Sequence, residues 1–121
     1  MHEAQVRPVL DLEVVESLKA LDEAGGPSLF LELIDLFVED AAAQLRTLRA
    51  ALAAGDVKLL ERAAHTLKSS SANIGASRMS GICLELEKLG RAGTLQGAES
   101  LVAGTGEAYA QVREVLSSMR S

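Results

Sequence analysis

Apolar side chains stand at Phe30, Leu33, Ile34, Phe37, Ala41, Leu45, Leu48 and Leu52, in steps of three and four residues sustained over about six turns. Only an α-helix keeps all of them on one face, and a stripe that long must be buried against other elements. The chain has 121 residues, one ordinary domain, so the covering elements come from the same chain. Hydrophobic residues make up 48% and aromatics only 2%, with no Trp, one Tyr and two Phe. The core therefore falls to Leu, Ala, Ile and Val, a mixture suited to packed helices.

The remaining elements read as helices too. Asp11 caps a short first helix through about Leu21, carrying Val14, Leu18 and Leu21 and broken by EAGGPS. Ser28 offers the cap of the long helix, which AAGD ends. Asp56 caps a third helix to about Asn73, with Gly75 where a left-handed terminal residue is wanted. Ser77 opens a fourth, with Met79, Ile82, Cys83, Leu86 and Leu89, and GRAG at Gly90 to Gly93 closes it. A fifth runs from about Leu95 to Met119, its first half weakened by Gly97, Gly104 and Gly106. No strand-like alternation and no internal repeat appears. The expected fold is all-α, an antiparallel four-helix bundle with a short additional N-terminal helix across one end. Residues 1–10 read as a flexible tail ahead of one domain over 11–121.

Several function classes drop out. The net charge of −5 leaves no basic stripe for phosphates, and without aromatics bases have nothing to stack on, so nucleic acid is not an expected partner. No apolar run approaches the ~18 residues of a membrane span. The single cysteine, Cys83, forms no internal disulfide and falls on an apolar stripe, and MHEAQVRPVL lacks a secretory pattern. A cytoplasmic monomer without a membrane is expected. There is no glycine-rich phosphate loop and no acidic cluster suited to magnesium, so neither an ATP site nor a metal site is expected. Glu61 and His65 lie one turn apart, but a diiron bundle needs paired Glu-x-x-His motifs, and the other histidine, His2, is in the tail. The run Ser69 to Ser71 has no His-acid pair to activate it.

His65 remains. On a helical wheel at roughly 100° per residue, Leu60, Ala63, Ala64, Leu67, Ser71 and Ile74 cluster within about 60° of one direction, while His65 points roughly 140° away. Glu61, Lys68 and Ala72 flank it, and Ser69 lies opposite the stripe. An outward histidine on a helix is also what an ordinary polar surface residue looks like. Its neighbours argue for more: Ser69 and Ala72, one and two turns on, leave the ring open to an approaching surface. Lys68 brings a cation within reach of any anion on the imidazole. A neutral imidazole nitrogen is a good nucleophile near pH 7 and can carry a phosphoryl group.

The stretch His65-Thr66-Leu67-Lys68-Ser69-Ser70-Ser71-Ala72-Asn73-Ile74-Gly75 resembles the His-x-Leu-Lys-Gly motif of histidine-containing phosphotransfer (HPt) domains, with its following small residues, aliphatic residue and Gly. RMSGICLELEKLGRAG resembles the family's next helix, with Arg78, Cys83, Leu86 and Leu89-Gly90-Arg91 at the expected places. The resemblance implies that His65 is phosphorylated on the ring nitrogen remote from the backbone and that Lys68 steadies the phosphoryl group. It also implies partners, the receiver domains of response regulators and a hybrid sensor histidine kinase, docking over the third and second helices, with Glu61, Ser69, Ala72, Glu87 and Arg91 as candidate docking residues. Glu87 and Arg91 match positions facing the histidine in some relatives, and a solvated helix face accounts for them equally well. Ser69 stands where the family most often has Gly. The implied function is a relay rather than a self-sufficient enzyme. A receiver aspartyl phosphate would donate to His65, another receiver would accept, no cofactor would be its own, and Mg²⁺ would be supplied by the partner receiver domain. A non-catalytic helical adaptor binding receiver or kinase domains is the alternative, and the presence of both His65 and Lys68 on an outer face argues against it.

Overall fold

The computed structural model describes residues 9–25 and 29–120, all helical apart from short connections. Five helices are seen among them: α1 Leu12–Gly25, α2 Leu29–Ala54, α3 Val57–Asn73, α4 Ser77–Ala92 and α5 Ala98–Arg120. No strand occurs among the described residues. Helix α3 packs on α2 and α4, α5 packs on α4 and closes the ring against α2, and α1 leans on α2. The short connections make successive helices antiparallel. Helix α1 sits at the end where α2 starts and α3 finishes, because the Asp11 amide donates to the Gly75 carbonyl at 2.6 Å.

Local chemistry sets the boundaries. Asp11 Oδ1 accepts from the Glu13 amide at 3.0 Å and Asp56 Oδ1 from the Leu59 amide at 3.0 Å, so both expected caps are in place. Ser28 lies outside the described residues; the amide of Phe30 is satisfied instead by Asp22 Oδ1 at 2.7 Å, a cap reaching across from α1. Helix α1 continues past Leu21 to Gly25, which places Asp22 for that role. Gly75 takes φ +84° in the α3–α4 connection, beside the Asp11 backbone. Helix α5 begins at Ala98, later than expected, and runs unbroken through Gly104 and Gly106. Its buried Val102, Ala108, Val112 and Leu116 outweigh a propensity cost of about 1 kcal/mol per glycine.

The apolar stripe of α2 faces inward as expected, with Phe30, Ile34, Phe37, Ala41, Leu45 and Leu48 buried and Leu33 and Leu52 half-buried. On α3 every residue of the expected stripe, from Leu60 to Ile74, is buried. Helix α1 departs from the expectation: Val15 rather than Val14 is buried, and Leu21 is 41% exposed. This helix meets the bundle along only part of its length, and where it touches is set by the Asp11–Gly75 contact. The proposed tail lies outside the described residues up to Pro8; Leu10 is fully buried and Val9 packs beside the core. No helix among the described residues is long and apolar enough to cross a membrane.

Candidate functional site

Helix α3 presents His65 on its outer face, with 61% of the side chain exposed. Helix α4 brings Glu87 against it: Oε2 lies 2.7 Å from His65 Nδ1, and Oε1 accepts from Lys68 Nζ at 2.6 Å. Arg91, one turn along α4, donates through Nη2 to Glu87 Oε2 at 3.2 Å and lies 4.0 Å from Glu61 Oε2. The readings of Glu87 as a docking residue and as part of a solvated face are both corrected, since only 4% of its side chain is exposed. Arg91 does remain exposed. Burying a carboxylate is costly unless it is paired and hydrogen-bonded, and here three donors surround it.

Those donors determine its charge. The Lys68 hydrogen bond holds Glu87 below the ordinary glutamate value of 4.5, and His65 acts in the same direction, against burial, which pushes it up. A carboxylate can only accept, so the 2.7 Å contact requires the proton to sit on His65 Nδ1. In the neutral ring Nε2 then carries the lone pair, on a side chain that is 61% exposed. The carboxylate thus favours the tautomer in which Nε2 keeps its lone pair.

Lys58, Glu61, Arg62, His65, Thr66 and Glu87 line an open depression between α3 and α4. Its lining holds two cations, Lys58 and Arg62, and two carboxylates, Glu61 and Glu87. Ser69 and Ala72 are exposed farther along the same side of α3, outside the hydrogen-bonded cluster. The Lys68 carbonyl accepts from Ser80 Oγ at 2.9 Å, a second tie between the two helices beside the site. Cys83 is fully buried, and burial pushes its thiol up to about 11. Among the described residues no group of three His, Cys, Asp or Glu side chains is placed to hold a metal ion. Of the residues anticipated from the sequence, the fold joins His65, Lys68, Glu61, Glu87 and Arg91. The central place of Glu87 is what sequence reasoning missed.

Known proteins share the sequence family and the fold. Residues 32–121 match the model of the Hpt domain family. The crystal structure of histidine-containing phosphotransfer protein B from Pseudomonas aeruginosa PAO1 is similar with a TM-score of 0.84 and 39% identity, over 93% of this chain and 95% of that one. A histidine-containing phosphotransfer protein from maize shares the fold with a TM-score of 0.83 at 24% identity, over 94% and 90% of the two chains. Histidine-containing phosphotransfer protein 5 of Arabidopsis thaliana is 28% identical over 74 residues, 59% of this chain. The chain spans about half the length of that curated relative, 47%. The chain belongs to the Hpt domain family, the histidine-containing phosphotransfer domains of phosphorelays.

Proposed function

We propose that His65 accepts a phosphoryl group from the aspartyl phosphate of one receiver domain and passes it to the aspartate of another. The observation that carries this reading is the pairing of an exposed imidazole with a buried carboxylate on Nδ1. The Nε2 lone pair attacks phosphorus, the bond from phosphorus to the aspartyl oxygen breaks, and the aspartate leaves as carboxylate. Positive charge develops on the ring as Nε2 acquires the phosphoryl group, and Glu87 stabilises it through the Nδ1 proton. The same proton keeps the ring a good leaving group for onward transfer. Lys68, three residues from His65 and only 29% exposed, exchanges part of its contact with Glu87 for a phosphoryl oxygen.

Ser69 and Ala72, and Glu61 with Arg91 at the rim, form the docking face for receivers and for the hybrid kinase that loads them. In this reading the domain works as a cytoplasmic monomer. It needs no ATP or metal site of its own, because the receiver supplies Mg²⁺.

The test is incubation with a phosphorylated receiver and Mg²⁺. Acid-labile, base-stable label is expected on the wild type and absent from His65→Gln, whose stability changes by no more than about 1 kcal/mol because the side chain is largely exposed. Label persisting in the variant would place the acceptor elsewhere.

A further inference from the structure

Helix α4 comes close to the α3 backbone at Gly90, near the His65–Glu87 pair. A Cβ built on Gly90 would stand 2.6 Å from Glu61 Cβ, 2.9 Å from Glu61 Cα and 3.1 Å from the Glu61 amide nitrogen. Two of those atoms are backbone, so no flexible side chain can swing away to make room. Glu61 is one turn before His65 on α3, and Gly90 is one turn after Glu87 on α4. A different glycine, Gly93 with φ +76°, already ends α4. Gly90 lies in the last turn of α4, two residues before its end, and is not the left-handed residue that terminates it. Gly81, on the same helix, has nothing within 4 Å of the equivalent position.

We infer that Gly90 is a positioning residue for phosphotransfer: the missing side chain lets α4 come close enough for Glu87 to hold the Nδ1 proton of His65. The inference rests on the reading of His65 as the phosphoacceptor. Carbon atoms prefer separations of about 3.5–4.0 Å. A methyl group at position 90 therefore drives the helices apart by on the order of 1 Å. The 2.7 Å contact to Nδ1 then stretches beyond the roughly 3.2 Å limit of a good hydrogen bond. Released from the carboxylate, the ring admits the tautomer protonated on Nε2, whose outward nitrogen has no lone pair to attack phosphorus. Ordinary helix propensity predicts the opposite outcome for the same substitution, a more stable helix and an unaltered site.

The experiment compares the wild type with Gly90→Ala, Gly81→Ala and Glu87→Gln, each as ¹⁵N-labelled full chain. The imidazole tautomer is read from two-bond ¹H–¹⁵N couplings, with His65 assigned by its absence in His65→Gln. Wild type and Gly81→Ala are expected to hold the proton on Nδ1, with Gly81→Ala melting higher. Gly90→Ala is expected to stay folded, melt lower and shift toward the Nε2-protonated ring, as Glu87→Gln does. Its single-turnover transfer from a phosphorylated receiver should be slower by about tenfold to a hundredfold, the scale of an ångström of misplacement. A wild-type tautomer in Gly90→Ala overturns the inference, and so does global unfolding of that variant even in the Gly81→Ala background, since the inference requires a local opening. The tautomer is measured without any phosphoryl donor, so it judges Gly90 separately from the reading of His65. Failure of the wild type to accept label would sink that reading alone.

Discussion

The Glu87 carboxylate gathers His65, Lys68 and Arg91 around two oxygens, which ties stability to pH. Its folded value lies below the ordinary 4.5, so the stabilisation is fully present above that value and is lost as pH falls through the depressed folded value. Glu87→Gln should consequently be less stable than wild type near neutral pH, with the gap closing in acid. Urea melts of both proteins from about pH 7 down to about pH 3 measure it. A gap that does not change with pH would mean that the fold does not lower the Glu87 pKa below its unfolded value. Ser71 is the counterexample on the neighbouring helix, since its buried Oγ has no hydrogen-bond partner among the described residues, so small size rather than polarity explains its place in the core.

Helix α3 joins the core to the proposed docking face, and its two sides predict different phenotypes. Ser69→Phe adds bulk to an exposed position and should change stability by no more than about 0.5 kcal/mol. It should nevertheless slow transfer by up to about a hundredfold, by holding the receiver away from Nε2. Thermal melts and single-turnover transfer on the same preparation separate the two effects; a folded variant that transfers at the wild-type rate would remove Ser69 from the docking face. Helix α2 depends on a neighbour for its start. Asp22→Ala deletes the 2.7 Å bond to the Phe30 amide and should cost about 1 kcal/mol, comparable to Asp56→Ala at the start of α3. Circular dichroism melts of the two variants check this, and a silent Asp22→Ala would mean that another group caps α2.

At the scale of the whole bundle, α5 completes the ring. Tyr109 Oη donates to the Val38 carbonyl at 2.8 Å, tying α5 to α2, while the buried Thr105 of α5 donates to the Leu101 carbonyl of its own helix at 2.8 Å. With the thiol buried and pushed up to about 11, both access and ionisation oppose its reaction at ordinary pH. Cys83 should therefore resist a thiol reagent in the native protein and react fully in denaturant, its labelling across a urea gradient following global unfolding. Rapid labelling without denaturant would instead reveal that α5 opens on its own.

The number of helices and the inward faces of α2, α3 and α4 were legible from residue order alone, because the apolar period and the Asp11 and Asp56 caps are local properties of the chain. The outward direction of His65 follows from the same wheel, and the motif around it identified the chemistry. The partner of Nδ1 was not legible in that way. Whether a glutamate beside an arginine one turn on is solvated or buried depends on how near the next helix lies, and α4 alone carries no record of that distance. Glycine at position 90 lets the Glu61 backbone approach, and that approach turned Glu87 from a surface charge into the buried group that orients the imidazole. Helix α1 teaches the same point: Val14, Leu18 and Leu21 share a helical period, yet Leu21 stays exposed, because a periodic face is buried only where another element comes to meet it.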